Sequence, residues 1–533
     1  MKKLCFLVLA LLPLLLFSQS LNDDDMFPGD DLWEEEVYPE LDSPEYGMNG
    51  MIGTITVGGI TYSQIRLMPE LAFWKLGFGL DIDLLIDSSG KIRKEDWDEW
   101  QDIARKILYI RFADRFSPFY FKIGSIPGYT LGHGMIFDDF SNMLRYPTEK
   151  NIGGYIGFNT PYSGLGFEVY THDVYKNDII AGRVFVKPLK TLNMGILSNL
   201  RVGANIGGDR NQYGKYPDTD GDGYPDVYDK FPYDRRLWLD SDDDGLADDE
   251  DIDLNGNGIL DHPDQKPFVN TVFPVIHLIY PNYPFDTAVF PDSVAQYLKA
   301  RPLWIYSVDY ELPFFESENL RLSHYAEFAT IKDHGQGLIF PGFGAKFYVF
   351  DAKLEMRNFS ANFLPGYFNN LYEEQRSEVV YSLPDEVTGR RIYSLSSKDS
   401  TLDAVRPTFG WFGYIRANIY NMVLLKLAYQ DMYGTRMTTG KSLWAKLSLT
   451  PEVLPRLKEA SVYYGQTNVP WINFRYPRNT SAQVVGRLSY GISDRTNLVG
   501  KYTEHYTDLN DDGRIKGKDE IIEVITFGVE FEF

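Results

Sequence analysis

One cysteine occurs in 533 residues, and it is Cys5. It sits in a leader. Met1-Lys2-Lys3 is basic, Leu4–Phe17 is apolar, and Ser18-Gln19-Ser20 is small enough for a signal peptidase. This is the make-up of a secretory signal peptide, with cleavage expected after Ser20. The mature chain then holds no thiol, which excludes disulfides, thiolate catalysis and cysteine-bound zinc. Past the leader there is no apolar run long enough for a transmembrane helix. Glycine-rich phosphate loops and dinucleotide fingerprints are also missing. Basic residues are in deficit, 52 Lys and Arg against 75 Asp and Glu, for a formal charge of −23. Such a chain has no electrostatic footprint for nucleic acid.

The negative charge is concentrated. Residues 22–45 hold eleven acids and no base, and residues 218–264 hold seventeen acids against Lys230, Arg235 and Arg236. The rest of the chain is close to neutral. In the second acidic stretch the pattern D-x-[DN]-x-[DN]-G-x-x-D-x-x-D begins three times, at Asp218, Asp240 and Asp253. Oxygen ligands fall at positions 1, 3, 5, 9 and 12. They are Asp218, Asp220, Asp222, Asp226 and Asp229; Asp240, Asp242, Asp244, Asp248 and Asp251; and Asp253, Asn255, Asn257, Asp261 and Asp264. Gly223, Gly245 and Gly258 take the sharp turn at position 6. Tyr224, Leu246 and Ile259 follow and can each offer a backbone carbonyl, with apolar side chains available to pack between loops. A flexible chain wraps a hard cation with six to eight oxygens in this way, and the ligand number favours Ca²⁺ over Mg²⁺. A merely solvated acidic linker has no need of glycine at every sixth position. Without cation the carboxylates repel, so binding and folding of the segment are expected to be one event.

These loops resemble thrombospondin type-3-like repeats in their bacterial form, where Phe-Pro and Asp follow a repeat; here these are Asp229, Phe231, Pro232 and Asp234. The resemblance covers about fifty residues. It implies calcium packed between loops and no EF-hand helix pair. The cysteines of the animal repeats are absent, and Asp stands where an EF-hand uses Glu at position 12. A fourth start, Asp508-Leu-Asn510-Asp-Asp512-Gly513, has Lys516 at position 9 and Asp519 at position 12, and reads equally as a polar hairpin loop.

The body alternates with period two. Leu76, Phe78, Leu80, Ile82 and Leu84 alternate with Gly77, Gly79, Asp81 and Asp83; Leu165, Phe167 and Val169 alternate with Gly166, Glu168 and Tyr170. Val423, Leu425, Leu427 and Tyr429, and then Leu443, Ala445, Leu447 and Leu449, do the same. Each reads as a strand with one apolar face. Aromatics make up 15% of the chain, with 37 Tyr and 35 Phe, as at a membrane–water boundary. The chain finishes Ile525-Thr-Phe527-Gly-Val529-Glu-Phe531-Glu-Phe533, which resembles the closing strand of bacterial outer-membrane β-barrels. A soluble sheet ending on such an edge would invite aggregation, whereas a barrel pairs it.

Loop lengths alternate short and long back from Phe533. The expectation is therefore an all-β, transmembrane antiparallel β-barrel of roughly 18–20 strands, an even number, with short periplasmic turns and long external loops. The expected segments are a signal peptide (1–20), an acidic extension (21–50), a first barrel part (51–206), an extracellular insertion (207–301) and a second barrel part (302–533). Lys94–Lys106 reads as a loop helix with Trp97, Trp100, Ile103 and Ile107 on one face. The expected function is a porin-like passage for small polar solutes, tuned by lumen charges and by inward-folded loops such as Pro127–Asn151. The expected partners are outer-membrane lipid, the barrel assembly machinery and small polar solutes, with homo-oligomerisation left open. The competing readings are a calcium-dependent adhesin or surface-structural protein anchored by the barrel and, less favoured, an outer-membrane hydrolase using His133.

Overall fold

A computed structural model describes residues 41–57, 60–98, 100–144, 150–160, 163–227, 229–240, 244–247, 251, 253, 256, 258–259, 301–317, 319–381, 393–420, 422–434, 440–449, 456–472, 474, 483–493, 496–506 and 521–532. The leader, most of the acidic extension and the fourth loop start at Asp508 lie outside these residues.

Alternation becomes strand almost everywhere it was read. The first half of the wall comprises β1 (Leu41–Val57), β2 (Ile60–Trp74), β3 (Leu76–Leu80), β4 (Ile82–Ile86), β5 (Ile107–Phe112) and β6 (Phe119–Gly124). After a two-residue strand β7 (Phe137–Asp138) it continues with β8 (Gly153–Asn159), β9 (Gly166–Thr171), β10 (Ile179–Val186) and β11 (Arg201–Asp209). The second half begins with β12 (Leu303–Glu316), β13 (Leu320–Ile331), β14 (Gln336–Phe347) and β15 (Phe350–Phe359). Short elements follow: β16 (Phe368–Asn369), β17 (Ser377–Tyr381) and β18 (Tyr393–Ser397). The wall resumes with β19 (Thr408–Ile419), β20 (Val423–Gly434), β21 (Lys441–Leu449), β22 (Leu457–Val469), β23 (Gln483–Ser493), β24 (Thr496–Tyr506) and β25 (Ile521–Glu532).

One sheet of 21 strands contains all the wall segments. Successive strands pair antiparallel, as in β12–β13, β19–β20 and β24–β25. β3 and β4 both pair with β2 and are one wall strand broken at Asp81, which makes the ring an even 20. β11 is seated between β10 and β12 by side chains. Asn205 donates to Ser307 and Asp309 at 2.8 and 2.7 Å, and Arg183 reaches Asp309 at 2.8 Å across Gly203. A Cβ on Gly203 would strike both Asp309 and Arg183. The ring closes where β25 meets β1, Asn49↔Glu532, Gly50↔Phe531 and Met51↔Glu530. The fold is a closed antiparallel β-barrel, with no edge left to aggregate.

The two faces of the wall are chemically opposite. On β9, Phe167 and Val169 are exposed while Glu168 between them is 1% exposed. On β20, Leu425 and Leu427 are exposed and Lys426 is 3% exposed. Leu338, Leu354, Ile415, Leu447, Val462 and Leu488 extend the apolar exterior. A sheet that turns its aliphatic and aromatic side chains outward and its charges inward is inside out for water and right for lipid.

Two expectations shift. β1 begins at Leu41, ten residues before the boundary expected at residue 51. It pairs with β2 from Leu41↔Trp74 to Val57↔Ile60. Backbone pairing with a 15-residue partner does not require apolar alternation, so the acids at Asp42 and Glu45 had hidden it. The Lys94–Lys106 helix shrinks to a 3-10 turn at Lys94–Asp96 and a five-residue helix α1 (Trp100–Ala104). β5 claims Ile107 by pairing with Leu80, and Trp100 and Ile103 stay exposed rather than packed together. A single turn of helix gains too few hydrogen bonds to resist that competition.

The chain divides into two compact units. The first holds the barrel, Met1–Gly208, Trp304–Tyr372 and Leu402–Phe533. The second joins Asp209–Leu303 with Glu373–Thr401. A short helix α2 (Tyr372–Gln375) marks the second junction.

Candidate functional site

The interior of the barrel is built from the inward positions of the wall strands and from two segments that fold onto them. Ser125–Asn142 is one. Ile126, Tyr129, Leu131, Met135, Ile136, Phe137 and Phe140 are all essentially buried. They lie against inward-facing wall residues: Tyr129 stacks on Tyr170 at 4.0 Å, and a Cβ on Gly207 would strike Phe137 and Ile136. The second segment runs from Phe363 to Tyr372. Phe368 stacks on Phe137 at 4.5 Å, and β16 pairs in parallel with β7. Phe363 covers Gly337, where a Cβ would come within 2.3 Å of its ring. These wall glycines are thin spots that admit the inward rings.

Two inward carboxylates, Glu168 and Glu327, pin the first segment, and a third, Asp81, holds the chain just past it. Glu168 accepts from Arg115 at 2.8 and 2.6 Å and from the hydroxyls of Tyr120 and Tyr129 at 2.7 and 2.9 Å. Glu327 accepts from the His133 backbone N–H at 2.8 Å and from Ser307 at 2.6 Å. Asp81 binds Arg66 in bidentate fashion and also Lys150, just past the segment. Asn142 acts as a hub: its amide donates to the carbonyls of Gly124, Asn151 and His172 and its oxygen accepts from Ile126 N–H. Buried charges held by several partners resist movement, because breaking one pair strands the other charge.

On β19–β24 several basic residues stand in register across neighbouring strands. Arg416 is in register with Lys426, Lys426 with Lys446, and Arg487 with Lys501. Acids of the wall lie beside them: Asp351 is 4.0 Å from Arg416 and Glu459 is 3.1 Å from Arg487.

His133 lies at the tip of the inward segment between Gly132 and Gly134, whose φ angles of 66° and 89° make the tight turn. Its ring stacks on Tyr325 at 4.3 Å. Neither ring nitrogen has a hydrogen-bond partner among the described residues, and burial lowers its pKa. The nearby Ser307 hydroxyl is given to Glu327, so no Ser–His pair stands here.

The acidic loops lie in the second unit. In each repeat the glycine N–H at position 6 donates to the carboxylate at position 1: Gly223 to Asp218 at 3.0 Å, Gly245 to Asp240 at 2.9 Å, and Gly258 to Asp253 at 2.7 Å. The three glycines have φ of 101°, 93° and 81°, the left-handed region that favours glycine. Carboxylate oxygens of Asp218, Asp220 and Asp222 lie within 4.8 Å of one another. Tyr224 and Leu246 N–H groups donate to Asp222 and Asp244, each at 2.7 Å, which bends the chain back. Asp229 is buried and accepts from Phe231 N–H at 2.7 Å. Burial raises its pKa to about 6, and Asp222, Asp220 and Asp226 add to the rise. Asp251 is buried and accepts from Asp253 N–H.

One oxygen each of Asp220, Asp229 and Asp240 is buried with no hydrogen-bond partner among the described residues. A buried bare carboxylate oxygen costs several kcal/mol unless a cation meets it. The residues present therefore fit a hard divalent ion. Asp226 accepts from the N–H and hydroxyl of Thr219 at 2.8 and 2.6 Å, as Asp218 accepts from the N–H groups of Gly221 and Gly223 at 2.8 and 3.0 Å. Leu246 and Ile259 are exposed, and only Tyr224 packs as expected, flat on Trp238 at 3.9 Å. Trp238 itself escaped the sequence reading, although the one tryptophan in so acidic a stretch was a signal. Asp242, Asp248, Asn255, Asn257, Asp261 and Asp264 lie outside the described residues.

No protein-family model and no curated protein matches the chain. Among solved structures it is similar to the Escherichia coli outer-membrane protein Wzi, described as a carbohydrate-binding β-barrel involved in group 1 capsule assembly. The identity is 8%, covering 93% of this chain and 84% of that one, with a TM-score of 0.31. Pseudomonas aeruginosa OccK11 matches at 11% identity over 93% and 98% of the two chains, with a TM-score of 0.30. OprD of the same organism matches at 7% over 94% and 97%, with a TM-score of 0.29.

Proposed function

We propose that this protein is an outer-membrane barrel that passes small polar solutes, with a calcium-stabilised insertion on its external side. The observation that carries the reading is the wall itself: an even ring with an aliphatic and aromatic exterior and a charged interior. Lipid is the solvent for which such a sheet is made. A ring of this size is wide enough to leave a lumen unless segments fill it. Residues 125–142 and 363–372 narrow that lumen. The closing strand Ile521–Glu532 would be the part the assembly machinery reads.

Calcium would be held by Asp218, Asp220, Asp222, Asp229 and the Tyr224 carbonyl in the first loop, and by the matching groups around Asp240 and Asp253. It would supply the positive charge that the buried oxygens lack. The test is single-channel recording in a planar bilayer. Discrete conductance supports the proposal, and a silent bilayer from heat-modifiable, folded barrel sinks the passage.

A second reading has its own support. The insertion belongs to a compact unit of its own, as a surface-presented module would. A silent barrel whose cells adhere only with calcium would favour an adhesin.

A further inference from the structure

The exterior of the wall is recessed at one place in its second half. A cavity of about 440 Å³ lies across strands β12 to β15, β19 and β20. Its position follows from register. Ala345, Ala352 and Ile415 stand in one row across β14, β15 and β19, and the next row is Phe343, Leu354 and Gly413. Two alanines and a glycine thus fall together among large apolar neighbours, and the surface dips there. Phe343, Leu354, Ile415 and Leu427 line the cavity and are exposed, so it opens outward, onto the face already described as apolar. Ser323, Lys353 and Tyr414 also line it but are buried members of the inward face, with Lys353 over the Tyr414 ring at 5.6 Å. The Tyr429 hydroxyl is turned away to Asp431, at 3.5 Å. What faces the opening is largely hydrocarbon and aromatic ring. The rings at its margin are held. Trp411 packs on Tyr429 at 5.2 Å, and Phe343 packs edge-on to His324 at 5.1 Å, whose ring is bonded to the Tyr310 hydroxyl at 3.0 Å.

The chemistry and the dimensions select the occupant. An apolar recess does not hold ordered water. A second barrel presents a convex wall, which does not fill a hollow. A hydrocarbon chain does, and the recess is continuous with the lipid-facing exterior. Its lining on β19 runs from Trp411 to Ile415, about 13 Å at strand rise, close to half of the ~30 Å hydrocarbon core and so to the depth of one leaflet. We infer that this recess seats one acyl chain of a membrane lipid and holds it more tightly than the lipid around it. The inference rests on the barrel reading above and is independent of the passage. A chain lying in the recess touches side chains on more than one side, whereas a chain on a flush wall is met on one, and each added contact contributes dispersion.

The test is native mass spectrometry of the full chain, purified in detergent and mixed with palmitoyl-oleoyl phosphatidylethanolamine. The expected result is a single lipid that stays bound at collision energies that strip the others. Ala345→Leu with Ala352→Leu fills the recess and should lower the one-lipid species about tenfold, as the contacts it offered are taken by the protein itself. Ala352→Leu alone should lower it less, and serves if the pair does not fold. Ala204→Leu adds the same bulk at an exposed position of β11, away from the recess, and should change nothing. Lipid adducts equal in number and tenacity in all variants overturn the inference, as does a folded barrel that carries none. A dimer that Ala352→Leu splits gives the recess to a second copy and overturns it likewise. A chain that shows no heat-modifiable migration overturns the barrel reading itself, and the inference with it.

Discussion

The barrel wall and the acidic insertion solve the same problem, burying polar groups, by opposite means. In the wall each inward carboxylate has been given partners within the chain: Glu168 has an arginine and two tyrosine hydroxyls, and Asp81 has an arginine and a lysine. In the insertion, Asp220, Asp229 and Asp240 each keep a buried oxygen with no hydrogen-bond partner among the described residues. The first region satisfies its carboxylates within the chain. The second, on the calcium reading proposed above, satisfies them with a cation. A hydrogen-bonded ring needs no counter-ion because its ladder is neutral, whereas a loop of aspartates has little else to hold it.

The sharpest way to break this contrast is to remove calcium. The insertion should lose protease resistance between residues 218 and 259 while the barrel keeps its heat-modifiable migration; a barrel that unfolds with it would show that the two regions are not separate in kind. Next in size is Glu168→Gln, which strands the buried Arg115 and should cost roughly 3–5 kcal/mol locally. The expected readout is rapid protease or label access to residues 125–142 with no change in calcium affinity.

Glycine substitution sets the two regions side by side more gently. Gly245→Ala places a Cβ at φ 93° in open space and should cost about 1–2 kcal/mol, weakening calcium binding roughly tenfold by calorimetry. Gly53→Ala, also with open space around it but in wall strand β1, should change neither barrel melting nor calcium binding.

The smallest effect concerns pH. Burial lowers the His133 pKa in the folded state, so the unfolded state binds the proton more readily below the ordinary value. Stability of the inward segment then rises with pH through that window and falls on acidification. Maleimide labelling of a cysteine introduced at the buried Ser141, next to Phe140, should quicken modestly at pH 5, and His133→Phe, which keeps the stack on Tyr325, should flatten that response.

Much of this was legible from residues alone, for a local reason. A wall strand announces itself by what sits two residues away, as with Leu165, Phe167 and Val169, and a cation loop by glycine at a set distance from aspartate. The start of β1 was not legible because its pairing is carried by backbone rather than by an apolar pattern. Glu168 could be read as an inward residue but not as the anchor of Tyr129, 39 positions earlier in the chain. That Thr219 orients the Asp226 carboxylate was likewise not legible, since the bond spans seven residues of irregular loop.

What the order of amino acids determined unaided was the period of the strands, the even ring they imply and the turn geometry of the acidic loops, since each depends on neighbours a few bonds away. What tertiary structure alone decided was which segments fill the lumen and that residues 373–401 belong with the insertion. Those outcomes hang on pairs such as Arg376 and Asp209, 167 residues apart, whose attraction has no trace in local pattern because nothing but the folded chain brings them within reach.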